Sequence, residues 1–195
     1  MKYIVSLVLC SALIVAMAGA QTSGWRLDRA HSSINFSIKH MVISEVTGKF
    51  GDFDITFTSS KDDFSDATVE ATIKMNSINT EASGRDNHLK SDDFFNAEKF
   101  PEIKFKSTSF KKTGDNAYKI IGDMTIRDST KPVTFDAVYN GNAVTGKNIH
   151  SGWKATTTIN RFDFGLKWNR MLETGGLVAG DKVNITLNLE FVKEK

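Results

Sequence analysis

Apolar and polar residues alternate with a period of two along most of this chain. Ile34, Phe36 and Ile38 alternate with Ser33, Asn35, Ser37 and Lys39, and Phe53, Ile55 and Phe57 alternate with Asp52, Asp54 and Thr56. Ala67, Val69, Ala71, Ile73 and Met75 share one parity, as do Ile103 with Phe105, and Tyr118 and Ile120 with Met124 and Ile126. Val133, Phe135, Ala137 and Tyr139 follow. A weaker run of Trp153, Ala155, Thr157 and Ile159 precedes a clear last one of Val183, Ile185, Leu187, Leu189 and Phe191. Successive side chains on a strand point to opposite faces, so each segment has one apolar and one wet face. The pattern predicts antiparallel sheet with a single buried side. Eight such strands, separated by polar turns at 59–63, 113–116, 128–132 and 140–142, point to a sandwich or an up-and-down barrel.

Two stretches break the rhythm. From Thr80 to Asn96 alternation disappears, and Thr80 or Ser83 is placed to cap a short helix that Gly84 limits to two or three turns. Phe94-Phe95 and then Phe100-Pro101 follow it, so this segment suits the end of a barrel as a plug. Residues 165–180 contain Trp168, Met171, Leu172 and Leu177. They are apolar for a solvent loop and are expected to fold over an opening.

The first 20 residues read as a cleaved signal peptide: Lys2, an apolar run over 3–17, then Ala18-Gly19-Ala20 ahead of Gln21. The run is shorter than the ~20 residues of a membrane-spanning helix. Cys10 follows Leu9 in the middle of that run and reads as part of the leader, not as a lipidation site. Removing 20 of 195 residues leaves a 175-residue domain, 21–195, without cysteine, so disulfides and thiol chemistry are not available to it. That length suits one domain with a sizeable core. Export to the periplasm of a cell with two membranes is the expectation. With Lys2 gone, 24 of the 25 basic residues face 23 acidic ones, and the signs are interspersed. No nucleic-acid surface or polybasic membrane patch is expected.

Chemistry is sparse. His31 and His40 have opposite strand parity, His88 falls in the short helix and His150 in a turn, so no metal site is expected. Asp62-Asp63 and Asp92-Asp93 are adjacent pairs, poorly suited to flank a scissile bond. Neither a nucleophile elbow, nor a phosphate loop, nor a dinucleotide fingerprint occurs. No catalytic residue is assigned, and the chain is not expected to be an enzyme. Arg85, Asp86 and His88, and the run from Arg161 to Gly165, place charges beside aromatics. Each can serve as a polar handle for a ligand or as a buried ion pair closing the barrel. Ala67, Ala71, Ala137, Ala155 and Gly122 would leave space among the many Phe side chains. An eight-stranded barrel either fills its lumen or holds one small ligand, and the pattern alone leaves the two readings even.

The order and spacing of short motifs go further. They run from Trp25-x-x-Asp28-x-x-His31-Ser32-x-Ile34-x-Phe36 through His40, Gly48-Lys49-Phe50 and Ser77-Ile78-x-Thr80. Arg85-Asp86-x-His88-Leu89-Lys90-Ser91-x-Asp93-Phe94-Phe95 and Phe100-Pro101-x-Ile103-x-Phe105-x-Ser107 follow. Gly122-x-Met124-Thr125-Ile126, Thr130-Lys131-Pro132-Val133, Arg161-x-Asp163-Phe164-Gly165 and Gly180-Asp181-x-Val183 complete the set. In these the chain resembles the YceI-like family of exported, polyisoprenoid-binding, lipocalin-like proteins. The turn Arg127-Asp128-Ser129-Thr130 departs from the family pattern, a change expected to affect only a loop. The resemblance implies an all-β fold, an eight-stranded antiparallel lipocalin-like barrel with one short helix plugging an end. Its interior would hold a long isoprenoid (a quinone or prenyl lipid) or a fatty-chain amphiphile, with no covalent cofactor. Strand parity and the plug then give the expected apolar lining: Phe36, Ile38, Ile73, Phe94, Phe105, Met124, Ile126 and Trp153. Arg85, His88 and Asp93 are the expected head-group contacts. A mouth with apolar loops would permit transient membrane contact or a homodimer. The alternatives are a structural or stress-related barrel with a side-chain-filled core, and an enzyme acting on an apolar substrate.

Overall fold

The structure, a computed structural model, describes residues 23–173 and 175–194; the leader read at 1–20, Cys10 included, lies outside the described residues. Eleven strands build eight antiparallel staves, because three staves are each broken once. The first is β1 (Ser23–Leu27) and β2 (Ser33–His40), split by a 3-10 turn at Arg29–His31. Asp28 caps that turn by accepting the Ala30 amide at 3.0 Å. The second is β3 (Ser44–Phe50) and β4 (Phe53–Ser59), split at Gly51-Asp52. The third is β5 (Thr68–Lys74) and β6 (Ile78–Asn79), split by a 3-10 turn at Met75–Ser77. The one α-helix among the described residues, α1 (Ser83–Lys90), precedes the five unbroken staves. These are β7 (Glu102–Lys112), β8 (Ala117–Ile126), β9 (Ser129–Thr145), β10 (Asn148–Asn160) and β11 (Ala179–Lys193).

The 15-residue β11 closes the ring. Its C-terminal end pairs with β1 (Leu27 opposite Phe191) and its N-terminal part with β2 (Ile38 opposite Val183). Around the lower half the order β1, β4, β5, β7, β8, β9, β10, β11 returns to β1. Around the upper half the ladder runs β11, β2, β3, β6, and β6 does not pair with β7. The chain between them, α1 and residues 91–101, fills that gap, so the predicted plug also completes the wall. No helix among the described residues is long and apolar enough to cross a membrane.

The helix starts differently from the expectation. Ala82 holds the cap position and makes no side-chain cap bond. Thr80, 4% exposed, instead gives its amide (2.9 Å) and hydroxyl (2.6 Å) to Asp86 Oδ1, and its hydroxyl oxygen accepts from Arg85 Nε, so it is engaged by charged partners in place of the helix amides. The turn after β8 is also more than a loop change. Arg127, at φ 55°, donates to the Phe94 carbonyl at 2.8 Å and packs over the Phe100 ring at 5.6 Å, tying the plug to the barrel rim.

Below the level of Trp153 the interior is packed with rings. Trp153 contacts Phe64 (5.1 Å between centroids), Tyr118 (5.2 Å), Tyr139 (5.0 Å), Phe57 (5.7 Å) and Phe110 (5.8 Å). Phe57 stacks on Phe191 at 5.0 Å and on Trp25 at 6.2 Å. Such pairs contribute about 0.5–1.5 kcal/mol each beyond their area burial. Polar atoms inside the cluster are satisfied: Trp153 Nε1 donates to Ser151 Oγ at 2.8 Å, and Tyr118 Oη to the Asp63 carbonyl at 3.1 Å. Phe64 enters from the 60–67 hairpin, which Asp66 organises by accepting the Ser59 hydroxyl at 2.7 Å and the Ser60 amide at 3.0 Å.

Candidate functional site

Above the aromatic floor the same staves enclose a cavity of about 330 Å³. Phe57, Phe110, Trp153 and Phe191 form its base. Ile34, Phe36 and Ile38 of β2, Ile73 of β5, Ile103 and Phe105 of β7, Met124 and Ile126 of β8, and Val183, Ile185 and Leu187 of β11 form its walls. All eight residues expected in an apolar lining, Phe36, Ile38, Ile73, Phe94, Phe105, Met124, Ile126 and Trp153, border this space. Ala71, Ala137 and Ala155 border it too, so their small side chains do leave room. Gly122 does not contribute space. A Cβ there would lie 2.6 Å from the Phe105 ring and 2.4 Å from the Lys106 carbonyl, so the glycine admits the Phe105 ring and the neighbouring backbone. Gly48 does the same for Phe36, whose ring would lie 2.3 Å from a Cβ.

The mouth lies at the α1 end. His88 meets Phe94 (5.0 Å) and Trp168 (5.3 Å) edge-on, and Phe94 lies 5.2 Å from Trp168. Arg85 and His88 border the cavity, as do Lys39 and His40. Arg85 donates through Nε to the Thr80 hydroxyl and through Nη2 to the Thr80 carbonyl, both at 2.7 Å. These bonds use two of the five guanidinium donors. Asp93 does not border the cavity. Its side chain is 59% exposed, and it stands behind His88 with Oδ2 2.9 Å from His88 Nε2, so it orients the imidazole from the solvent side.

The segment after β10 folds over the opening, as its apolar content predicts: Leu166, Trp168 and Val178 border the cavity, while Met171 faces solvent. Arg161 holds this segment down. It is 2% exposed and donates to four backbone carbonyls: Gly180 (2.7 Å), Trp168 (2.8 Å), Ala179 (3.0 Å) and Leu166. Burial pulls its guanidinium down from the ordinary value, and the nearby Asp181 charge offsets part of that. Of the two roles open to it, the ion pair is not what forms, since the acceptors are carbonyl dipoles. The sequence does not reveal this role, because a guanidinium caging carbonyls needs no charged partner at a readable spacing.

An apolar lumen of this size has a direct energetic consequence. Unfilled volume in a closed core costs ~24 cal/mol per Å³, so about 8 kcal/mol is the upper limit for an empty 330 Å³ lumen that opens at its mouth. That is comparable to the whole stability of a domain, about 5–15 kcal/mol. Water fills such a space poorly, since each molecule needs two to four polar partners. An apolar occupant relieves the cost.

The model of the YceI-like domain matches residues 25–191. A UPF0312 protein of Staphylococcus aureus strain N315 is 40% identical over 172 residues, covering 87% of this chain and 97% of that protein. A Campylobacter jejuni YceI protein, solved in crystals with large solvent channels, is 30% identical with a TM-score of 0.66, over 87% of this chain and 96% of that one. A polyisoprenoid-binding domain from Saccharophagus degradans, implicated in plant cell wall breakdown, has a TM-score of 0.63 at 14% identity, over 87% and 98% of the two chains. At that identity the likeness is one of fold.

Proposed function

Because this chain belongs to the family of YceI-like domains, we propose that it is a non-enzymatic carrier that sequesters one polyisoprenoid or fatty-chain amphiphile in its lumen. The observation that carries this reading is the hollow apolar space above a solid aromatic floor, bordered at its mouth by α1, by the loop after β10 and by Lys39 and His40 of β2. The polyisoprenoid named for the Saccharophagus degradans domain supports the choice of ligand class. Each buried methylene contributes about 0.8 kcal/mol, so a long chain binds well after association entropy is subtracted. One methylene more or less changes little, and the chain end therefore selects poorly. The head group rests at the mouth against Arg85 and His88, with Asp93 fixing the imidazole.

Loading from a bilayer fits the rim. The tip between β2 and β3 exposes Val42 (66%) and Ile43 (85%), with Met41 beside them. Met41 and Val42 both have positive φ, and the Met41 amide donates to the Val178 carbonyl of the covering loop at 2.9 Å. An apolar tip joined to the cover over the mouth is suited to enter the headgroup region while a chain transfers, and the same tip could instead bury against a second copy. The leader-like N-terminus supports a periplasmic carrier.

Native mass spectrometry of the detergent-free protein, followed by solvent extraction, tests this proposal. One prenyl or long acyl species per chain is the expected result. A bare polypeptide mass that persists after incubation with ubiquinone and with a fatty amide overturns it in favour of a structural barrel that carries no lipid.

A further inference from the structure

Four side chains that the lumen does not use converge on the outer wall, where the 3-10 turn between β1 and β2 crosses β11 and β10. Asp28 Oδ2 lies 3.2 Å from His31 Nδ1, and Glu190 Oε1 lies 2.7 Å from His150 Nδ1. The two pairs are not separate: one ligand atom from each of Asp28, His31 and Glu190 lies within 4.8 Å of the others. We propose that Asp28, His31 and Glu190 form a binding site for a divalent transition-metal ion of the zinc class, with His150 as a positioning residue on Glu190.

Donor chemistry, geometry and charge all support this. Imidazole and carboxylate together suit zinc and its neighbours. Zinc bonds of about 2.0–2.2 Å in a tetrahedron separate ligand atoms by about 3.3 Å, so small side-chain movements bring these three atoms to bonding distance. Their backbones are already fixed. The Asp28 amide donates to the Glu190 carbonyl at 2.8 Å, and the Glu190 amide donates to Ser32 Oγ at 3.0 Å. The 3-10 turn sets the spacing of Asp28 and His31. His31 is mostly exposed and gives the ion a way in, while Asp28, Glu190 and His150 are half-buried. Among the described residues no lysine or arginine lies within 4.0 Å of either carboxylate, and Arg29 turns away to Asp52 (3.3 Å) and Asp54 (3.4 Å). The two carboxylates thus have imidazoles as their only basic partners, and a bound ion takes the place of a proton on His31 Nδ1 while His150 stays on Glu190. Histidine spacing along the chain conceals the cluster, because Glu190 and His150 arrive from the last two strands.

Titrating zinc chloride into the leader-free chain, by calorimetry and thermal melting, tests the site. The expected result is one ion per chain and a rise in Tm of about 5 °C or more at saturating zinc. His31→Gln, at a largely exposed position, should keep the metal-free Tm and lose both signals. His150→Gln should weaken binding about tenfold. A wild-type chain that takes up no zinc overturns the proposal. So does a His31→Gln chain that binds as the wild type does, since the ion would then sit elsewhere.

Discussion

The two halves of the barrel are made of the same alternating strands and end in opposite states. From Trp153 downward, eight aromatic side chains from seven strands and one hairpin fill the interior. Above it, the staves enclose the cavity, and on its β11 side Val183, Ile185 and Leu187 are only half-buried. On β8, by contrast, Tyr118, Ile120, Met124 and Ile126 are all buried. Period-two patterning decides which side of a strand faces inward. Whether that inside is filled depends on side-chain size and on what loops insert, as Phe64 does from below.

The largest effect should come from breaking the floor. Trp153→Ala removes the ring at the centre of the cluster and should destabilise the protein by about 3–5 kcal/mol, measured by urea unfolding. A loss under about 1 kcal/mol would mean that the floor is as loosely packed as the lumen. Next comes the cover. Arg161→Ala leaves four carbonyls without their donor and should lose about 2–3 kcal/mol. It should also speed amide exchange over residues 166–180; exchange unchanged there would show that Arg161 is not the latch.

Truncating a wall residue should cost less. Ile185→Ala removes a side chain that borders empty space and so has fewer contacts to lose. A loss of about 1 kcal/mol or less is expected in the lipid-free protein. A cost equal to that of a floor residue would show that the lumen collapses around it. The smallest effect belongs to the hairpin that carries Phe64. Hydroxyl bonds from Ser60 and then Ser59 hold the Asp66 carboxyl well below the usual carboxylate range. A depressed folded pKa stabilises fully above the unfolded value, about 3.9, and the contribution fades as pH falls towards the folded one. The gap in Tm between wild type and Asp66→Asn should therefore be present at neutral pH and shrink below about pH 4. A gap that is constant with pH would mean that the carboxylate charge is not what the serines stabilise.

Much of this architecture was legible in the residues. Alternation marks the strands, and the loss of rhythm at 80–96 and 165–180 marks the plug and the cover. The eight expected lining residues border the cavity because parity and the aromatic run after the helix both point inward. What pattern could not carry was third-dimensional: Gly122 admits a ring instead of leaving room, and Asp93 stands outside the lumen behind His88. Arg161 and Arg127 act through backbone carbonyls that no spacing rule identifies, and Thr80 serves Asp86 in place of a helix end.

The claim that the upper lumen is hollow and built for a chain is tested most directly by filling it. Ala71→Phe places a ring where a half-buried alanine borders the cavity. Bound lipid per barrel, measured after equilibration of the lipid-free variant with ubiquinone, should fall well below the wild-type value while the lipid-free Tm holds or rises. A variant destabilised by the ~1–3 kcal/mol typical of overpacking, with lipid content equal to wild type, would contradict the account, because the space beside Ala71 would then be packed already and the lipid would bind elsewhere.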